Sequence, residues 1–351
     1  MRKLAYELAD RLALQHTLTL EEYCTLLEQA DAQVAAYLAA LARKEQEKHY
    51  GNEVFLRGLI EVSNVCKNDC YYCGIRRSNH ACQRYRLTEE EILTCCAEGY
   101  AQGFRTFVLQ GGDDPAFSDQ MLENLLMSIK SHWPDTSVVL SMGERSDASL
   151  ARLRKAGADR YMLRYETADP VHYGQLHPGE MSWENRMSCL HTLRKQGYQI
   201  GCGFMVGTPG QTVELLAKEL QFVEKFQPAL CSIGPFIPHR DTPFGRERAG
   251  SAELTCLLLS CIRLIHPSVL LLAANALGAL RSDGREAGVL AGANLMLPVL
   301  SPERAQNQYL LYNGKRSDGT EIARICAELD KRMHAIGYRV VPEQHRAQQN
   351  I

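Results

Sequence analysis

Hydrophobic residues recur along the chain with two different spacings, and the spacing changes near residue 50. Residues 1–50 have a helical period in which Tyr23 and Leu26 share one face. Thr19, followed three positions later by Glu22, forms a capping box, which predicts that a helix begins there. The sequence therefore predicts an N-terminal helical extension over residues 1–50.

From residue 54 onward, short β-rich runs alternate with amphipathic helices. The first strand is predicted at Leu59–Val65 and leads into a polar loop. Thr88 and Glu91 form a second capping box, and Gly103 lies where glycine commonly ends a helix. The pattern then repeats, with further strands predicted at 104–110, 137–142, 159–166, 198–206, 229–236, 268–274 and 293–298.

Eight such β-then-α units predict a closed parallel barrel with its helices outside. This α/β architecture, a (βα)8 TIM-type barrel, suits eight units better than an open Rossmann sheet does. We expect the barrel to span residues 51–316, followed by a tail of helix and strand over 317–351. Reactive groups in such barrels lie at the carboxyl ends of the strands, so functional motifs should follow the predicted strands.

The composition is that of an ordinary globular protein. Of 351 residues, 45% are hydrophobic and 23% are charged, and the net charge is −2. A nucleic-acid-binding surface would show a basic excess, which is not present. The N-terminus lacks the apolar core of a signal peptide, and the longest apolar stretch, Val269–Leu280, is too short for a bilayer. We therefore expect a cytoplasmic protein with no nucleic-acid or membrane partner.

Thirteen cysteines without a secretory signal predict free thiols or metal ligands rather than disulfides. Cys66, Cys70 and Cys73 stand out because they share one polar loop directly after the first barrel strand. Three thiolates can hold a [4Fe–4S] cluster and leave one iron with an open coordination position. The alternatives are a zinc site with His80 or Cys82 as fourth ligand, an electron-transfer cluster, and simple burial.

The spacing C-x3-C-x2-C, followed by a glycine, resembles the signature of the radical S-adenosylmethionine (SAM) superfamily. The resemblance implies that Cys66, Cys70 and Cys73 ligate a [4Fe–4S] cluster. It implies that the open iron binds the amino and carboxylate groups of SAM. It also implies that SAM is cleaved reductively to a 5′-deoxyadenosyl radical, with the protein supplying orientation and exclusion of water.

Two further strand ends are candidates for binding SAM. Gly111, Gly112 and Asp113 resemble the GGE loop that binds the methionine amine in this superfamily, with Asp113 in place of glutamate. The alternative is a plain turn between strand and helix. Ser141 and Glu144 follow the next strand, and we expect them to contact SAM as well.

The strand predicted over 159–166 has charged residues at alternate positions, including Arg164 and Glu166. Alternation directs these two side chains to the same side, and charges inside a barrel are costly unless they are paired or bind a ligand. We expect Arg164 to bind the SAM carboxylate and Glu166 the ribose hydroxyls, with a structural ion pair as the alternative. Arg186, at the next helix start, is expected to reach the same carboxylate or to be a surface charge.

The fifth and sixth strands contain three residues of less certain role. Met205 lies before a glycine-rich loop of the kind that accommodates adenine, and it is either adenine-facing or part of the core. Cys202 and Cys231 lie on adjacent strands. Two cysteines cannot complete a second cluster such as the one inside biotin synthase, so we expect both to be core residues.

Over residues 50–316 the chain resembles the [FeFe]-hydrogenase maturases of the HydE family. The motifs that carry the resemblance are EVSNVCKNDCYYCGIRRSN, the RYRLT that follows it, LQGGDDP, SMGE, AGADRYMLRYETADP, WENRMSCL, MVGTPGQT, GPFIPHRDTP, AGANLMLP and YLLYNGK. The resemblance implies a complete barrel, SAM contacts from Arg164, Glu166 and Arg186, and a position near the adenosyl group for Tyr309. It also implies an iron–carbonyl–cyanide–cysteine substrate, an electron donor protein, and transfer of the product to a scaffold GTPase.

The sequence departs from this family at the substrate end of the barrel. Val139 stands where a polar residue is expected, and Ala274 and Asn275 stand where a threonine pair is expected. In the tail only Cys326 remains, so no auxiliary cluster is expected there. Two alternatives stay open: a mutase that rearranges an amino acid, similar to methylornithine synthase, and an iron–sulfur scaffold protein without turnover.

Overall fold

The computed structural model describes residues 2–315, 317, 319 and 321–343. Three helices come first, namely α1 (Arg2–Gln15), α2 (Leu20–Gln29) and α3 (Ala32–Tyr50). The capping box of Thr19 and Glu22 is present at the start of α2, as predicted. The Asp31 carboxylate caps α3 by accepting from two backbone N–H groups of its first turn.

Strands and helices then alternate to the end of the described chain. The strands are β1 (Glu53–Leu56), β2 (Gly58–Ser63), β3 (Thr106–Gly111), β4 (Ser137–Ser141), β5 (Arg160–Met162), β6 (Gln199–Cys202), β7 (Met205–Val206), β8 (Leu230–Cys231), β9 (Gly234–Pro235), β10 (Leu270–Leu271), β11 (Leu295–Met296) and β12 (Arg339–Pro342). The helices are α4 (Glu89–Ala101), α5 (Asp119–His132), α6 (Asp147–Ala156), α7 (Pro170–Leu176), α8 (Trp183–Lys195), α9 (Val213–Phe226), α10 (Ala252–Ile265), α11 (Asn275–Leu280), α12 (Gly284–Leu290), α13 (Glu303–Gln308) and α14 (Ile322–His334). The N-terminal helices cover the outer helices, with α2 against α9 and α3 against α10.

A parallel sheet in the order β10-β8-β6-β5-β4-β3-β2 forms most of the barrel wall. The segment around β11 closes the gap between its two edges. The backbone N–H of Ala273, after β10, donates to Leu295 O (2.9 Å), and that of Leu59 donates to Pro298 O (2.9 Å). The wall therefore closes with eight strand positions, which confirms the predicted (βα)8 architecture.

The barrel interior is layered. Leu59, Val108, Val139 and Val299 form an apolar cluster inside the wall. One step nearer the carboxyl ends, Glu61, Gln110 and Ser141 are register partners on neighbouring strands, and their side chains alternate with outward-facing residues. Apolar residues thus fill the lower barrel, while polar residues line its mouth.

A buried ion cluster closes the opposite end, the floor. There β12 pairs in parallel with β1, so the C-terminal tail joins the barrel. The Glu343 carboxylate accepts from Arg57 Nη2 (2.9 Å) and Arg160 Nη1 (2.9 Å), and all three side chains are almost fully buried. Sequence reasoning did not single out any of these residues, because nothing local pairs a tail residue with a strand 183 positions away.

The outer face of the wall packs against the helices. Cys202 and Cys231 are register partners, and both are buried in the main hydrophobic core. This confirms the prediction that the two cysteines are core residues. Tyr165 also faces outward, and its ring lies against Phe222 of α9 with centroids 4.3 Å apart.

The strand predicted over 159–166 is shorter than expected, because regular pairing ends at Met162. Tyr165 still donates its backbone N–H to Gly203 O (3.0 Å), but Glu166 then adopts a left-handed backbone conformation with φ +66°. Helix α7 was not predicted, although Asp169 caps it and Pro170 begins it, which is a recognisable helix start. Among the described residues, no helix is long and apolar enough to cross a membrane.

Candidate active site at the barrel mouth

The cysteine loop leaves the carboxyl end of β2 and is held by the guanidinium of Arg84. Arg84 donates to four backbone carbonyls: those of Asn64, Ile75, Arg76 and Asn79 (2.6–3.1 Å). These bonds tie both ends of the loop to one rigid planar group. Arg84 was missed at the sequence level, where it resembles any surface arginine after a loop.

The three thiols lie close enough to influence one another. Burial raises the pKa of Cys70 to about 12, and the neighbouring Cys66 adds to the rise. Burial also raises the pKa of Cys66 and of Cys73. In the described part of the chain, no three His, Cys, Asp or Glu side chains are spaced to hold a single metal ion. A cubane cluster does not need ligands that converge on one ion, because each cysteine binds its own iron.

The glycine loop after β3 packs directly on the cysteine loop. The backbone N–H of Asp113 donates to Cys66 Sγ (3.3 Å), and Asp113 O accepts from the Lys67 N–H (2.9 Å). A Cβ on Gly112 would lie 2.2 Å from Val65 O and 2.7 Å from the Cys66 Cβ, so glycine is required there. The Asp113 carboxylate forms an ion pair with Lys67 (3.1 Å) at the rim of the mouth.

We expect Gly112→Ala to reduce cluster incorporation severalfold, because the added methyl displaces the Cys66 backbone. Gly174→Ala is the matched control, since a Cβ at Gly174 meets no atom within 4 Å. Iron and sulfide content after anaerobic reconstitution measures the effect. Wild-type iron content in Gly112→Ala would contradict the steric argument.

Arg164 and Glu166 form the ion pair that the sequence left as an alternative, with Arg164 Nη2 3.1 Å from Glu166 Oε2. Arg164 Nη2 also donates to Phe204 O (2.8 Å). Even so, among the described residues neither Arg164 Nε nor Glu166 Oε2 has a hydrogen-bond partner of good geometry, although both atoms are buried. Left-handed backbone at a non-glycine residue stores strain of about 1–3 kcal/mol, which is typical of ligand-binding positions. The buried Arg164 Nε, which has no partner among the described residues, and the strained backbone of Glu166 together indicate a ligand site.

Arg186 is buried, so the alternative of a surface charge is wrong. Its Nε donates to Glu144 Oε1 (2.5 Å), and its Nη1 donates to the backbone carbonyl of Arg164. Asn185 donates to the other oxygen of Glu144. Helix α8 and the end of β4 therefore hold Arg164 from behind.

Tyr309 is almost fully buried and closes the other side of the mouth. Its hydroxyl accepts from Gln110 Nε2 (3.4 Å), and Lys315 Nζ lies 4.9 Å from its ring centroid. Lys315 in turn forms a buried ion pair with Glu61 (2.6 Å). Sequence reasoning missed Glu61 and Lys315, because their 254-residue separation hides the pairing.

Ser141 and Met205, which were also predicted to bind SAM, make fewer side-chain contacts than Arg164 and Arg186 do. Ser141 lies beside Gln110 in the sheet at the end of β4. Met205 is buried on β7, where its backbone N–H donates to Glu166 O (3.2 Å). The structure thus places Met205 next to Glu166.

A buried carboxyl supports the Glu166 segment from behind. Glu219 on α9 is fully buried and accepts from the backbone N–H of Ala168 (2.8 Å). Thr167 is also buried, and its hydroxyl oxygen lies 3.1 Å from His172 Nδ1. These contacts fix the chain on the C-terminal side of Glu166.

Glu219→Gln is expected to stabilise the protein at alkaline pH. Burial raises the pKa of Glu219 from its ordinary 4.5 to about 8. Its contribution to the free energy of unfolding is therefore fully present below about pH 4.5 and is lost as the pH rises through about 8. Glutamine cannot ionise and removes this loss. Denaturant unfolding at about pH 6 and pH 9 measures the difference, and parallel pH dependence in both proteins would contradict it.

Comparisons with known proteins show the family to which the chain belongs. The sequence profile of the radical SAM superfamily matches residues 60–223. The [FeFe] hydrogenase maturase subunit HydE of Thermotoga maritima is 40% identical over 278 residues, 79% of this chain and 79% of that protein. The chain belongs to the HydE family of radical SAM proteins. A 3-methylornithine synthase of Methanosarcina acetivorans is 29% identical, covering 86% of this chain and 85% of that protein.

A solved structure of methylornithine synthase has the same fold as this HydE-family chain. Its TM-score is 0.82 at 26% identity, and the match covers 95% of this chain and 97% of that one. Membership of the HydE family implies a [4Fe–4S] cluster and SAM as cofactors. The three cysteines are suited to ligate the cluster, and the buried Arg164 Nε, which has no partner among the described residues, is suited to donate a hydrogen bond to SAM.

Proposed function

We propose that this HydE-family protein cleaves SAM reductively at a cluster held by Cys66, Cys70 and Cys73 and acts in maturation of the [FeFe]-hydrogenase cluster. The observation that supports the proposal is that the cysteine loop and the Arg164–Glu166 pair lie together at one end of the barrel, where the charges of Arg186 and Glu166 act on the buried Cys70 thiol. The 40% identity to a hydrogenase maturase subunit supports this specific role.

Within this proposal, each residue has a defined task. The bound cofactors supply the electron and the radical, and the chain orients them. Cys66, Cys70 and Cys73 would hold the cluster, and the Gly111–Asp113 loop, which lies beside Cys66, would bind the methionine end of SAM. Arg164, held by Arg186 and Glu144, meets the carboxylate with its free Nε.

Glu166 and Met205 serve the nucleoside part of SAM in this proposal. Glu166 offers a buried oxygen to the ribose hydroxyls. Met205 lies next to it and faces the adenine, while Tyr309 covers the adenosyl group from the opposite side. Ser141 pairs with Gln110 at the carboxyl ends of β4 and β3, at the barrel mouth, where it would contact SAM.

We propose that the substrate is an iron–carbonyl–cyanide–cysteine complex bound below SAM. The apolar layer that contains Val139 suits small uncharged ligands such as carbon monoxide. Ala274 faces the interior glycine Gly234, and Asn275 has a buried amide oxygen without a hydrogen-bond partner among the described residues. The product would pass to a scaffold GTPase, and an electron donor protein would reduce the cluster. Thirteen free cysteines agree with a reducing cytoplasm.

Anaerobic incubation of the reconstituted protein with dithionite, SAM and the iron complex tests the proposal. We expect 5′-deoxyadenosine, consumption of the complex, and activation of a hydrogenase that lacks its two-iron subcluster when the scaffold GTPase is added. Absence of 5′-deoxyadenosine would favour a scaffold protein without turnover. Formation of 5′-deoxyadenosine without hydrogenase activation would contradict the maturation role.

The second candidate is an amino acid mutase, favoured by the TM-score of 0.82 to methylornithine synthase. It predicts that lysine is rearranged by the reduced protein with SAM. Chromatographic separation of lysine from its isomers, followed by fragmentation in the mass spectrometer, decides between the two, because an isomer has the same mass as lysine. A rearranged isomer supports the mutase, and unchanged lysine opposes it. The higher identity to the maturase favours the first candidate.

A further inference from the structure

A buried histidine bridges the two segments that the proposed function assigns to the nucleoside of SAM. These are the ribose segment, residues 166–169, and the adenine loop, residues 207–212, which follows β7. His172 on α7 is almost fully buried, and its Nδ1 lies 3.1 Å from the hydroxyl of Thr167 in the ribose segment. Its Nε2 lies 3.1 Å from Pro209 O in the adenine loop. The imidazole ring therefore spans the space between the two segments.

These contacts determine which of the ring nitrogens has the proton. Pro209 O can only accept, so Nε2 donates to it, and the Thr208 hydroxyl lies 3.3 Å from the same nitrogen. Burial lowers the pKa of His172 from its ordinary 6.5, so the ring is neutral at physiological pH and Nδ1 has a lone pair. The Thr167 hydroxyl donates to that lone pair and accepts from the backbone N–H of Asp169 (3.3 Å). Each ring nitrogen is thus used on a different segment.

The histidine bridge extends a shorter connection between the same parts of the chain. The backbone N–H of Met205 donates to Glu166 O (3.2 Å), which joins the two strand ends directly. Beyond that bond, Gln211 braces the adenine loop from within. Its Nε2 donates to Met205 O (2.9 Å), and its Oε1 accepts from the Gly207 N–H (2.6 Å). His172 ties this internally braced loop to the ribose segment, so the two segments are positioned as one unit.

We propose that His172 fixes the ribose segment and the adenine loop relative to each other and thereby preorganises the site for the nucleoside of SAM. A ligand that contacts two segments binds more tightly when both are already held in place, because binding then does not have to order them. The methionine part of SAM is assigned to the Gly111–Asp113 loop and Arg164, so the effect should fall on the nucleoside alone. His172 is a positioning residue. The inference rests on the proposed SAM site.

Equilibrium dialysis of the reconstituted protein with labelled SAM, in the absence of reductant, tests the proposal. His172→Leu removes both ring contacts and should weaken SAM binding about three- to tenfold, comparable to the net loss of one hydrogen bond. Competing 5′-deoxyadenosine should lose affinity by a similar factor, whereas competing methionine should not. Val171→Ala is the matched control, because Val171 precedes His172 on α7 and is 73% exposed. It should leave all three affinities unchanged.

Thr167→Val is a gentler second variant, since valine keeps the shape of the side chain and removes the hydroxyl that donates to Nδ1. It should show the same selective loss of nucleoside affinity. This variant tests the proposal even if His172→Leu does not fold.

Hydrogen exchange in the SAM-free protein supplies a second readout that needs no ligand. In His172→Leu, the amide hydrogens of residues 167–169 and 207–211 should both exchange faster, because the bridge restrains both segments. Unchanged 5′-deoxyadenosine affinity overturns the inference, as does an equal loss of methionine affinity or faster exchange in only one segment. Those outcomes, with normal SAM binding by the wild type, leave the proposed function intact. A wild-type protein that binds no SAM would instead overturn both.

Discussion

Cys70→Ala is expected to abolish cluster assembly and reduce 5′-deoxyadenosine formation below detection. Cys70 lies between the other two thiols in the loop, and burial together with Cys66 raises its pKa. Iron binding must therefore supply the energy of deprotonation, and the two remaining cysteines cannot hold a cubane. Iron and sulfide analysis, EPR of the reduced protein, and chromatography of the SAM products measure the loss.

Cys82→Ala is the matched control, because Cys82 lies in the same loop and was the candidate fourth ligand of a zinc site. Its sulfur accepts only a weak bond from Asn64 Nδ2 (3.6 Å). We expect this variant to retain the cluster and SAM cleavage. An equal loss of iron and of SAM cleavage in the two variants would contradict a three-cysteine site. Stoichiometric zinc without iron in the purified wild type would rule out the cluster.

Glu343→Gln is expected to destabilise the barrel by about 3–5 kcal/mol, the range found when one partner of a buried ion pair is removed. Arg57 and Arg160 lie on the barrel floor with this single carboxylate between them. Glutamine leaves both guanidinium charges buried without the carboxylate with which they pair. The free energy of unfolding from urea titration measures the effect.

The matched control for the floor is Glu53→Gln. Glu53 pairs with Arg339 across the same two strands, but its partner is more than half exposed. An exposed pair contributes about 0–1 kcal/mol, so the control should remain near the wild type. Similar losses in both variants would show that burial of the ion cluster is not the cause.

The Glu343 carboxylate should also make the stability of the barrel depend on pH in the acid range. Although burial alone would raise it, the Arg57 and Arg160 guanidiniums lower the pKa of Glu343 from its ordinary 4.5 to about 2. A depressed folded-state pKa contributes stability that is present above about pH 4.5 and is lost as the pH falls toward about 2. The wild type should therefore lose stability across this window more steeply than Glu343→Gln does.

Much of the candidate site was predictable, because its motifs are local. The cysteine spacing, the Gly111–Asp113 loop and the alternation of Arg164 with Glu166 are each readable within ten residues. The residues that hold these groups were not predictable. Arg84 binds four carbonyls of the cysteine loop, and His177 meets Tyr72 across 105 positions. A lone arginine or histidine has no pattern around it that indicates its partner.

The sequence by itself determined the alternation of strands and helices apart from short helices such as α7, the parallel barrel they form, and the chemistry of the cysteine loop. Hydrophobic periodicity shows which face of each element is buried, and cap and glycine signals mark where elements end. Only the tertiary structure decided how the wall closes at residues 295–300, which carboxylate seals the floor, and which histidine the Tyr72 hydroxyl meets. Each of these depends on atoms brought together from distant parts of the chain, and a local pattern of polar and apolar residues does not encode such partners.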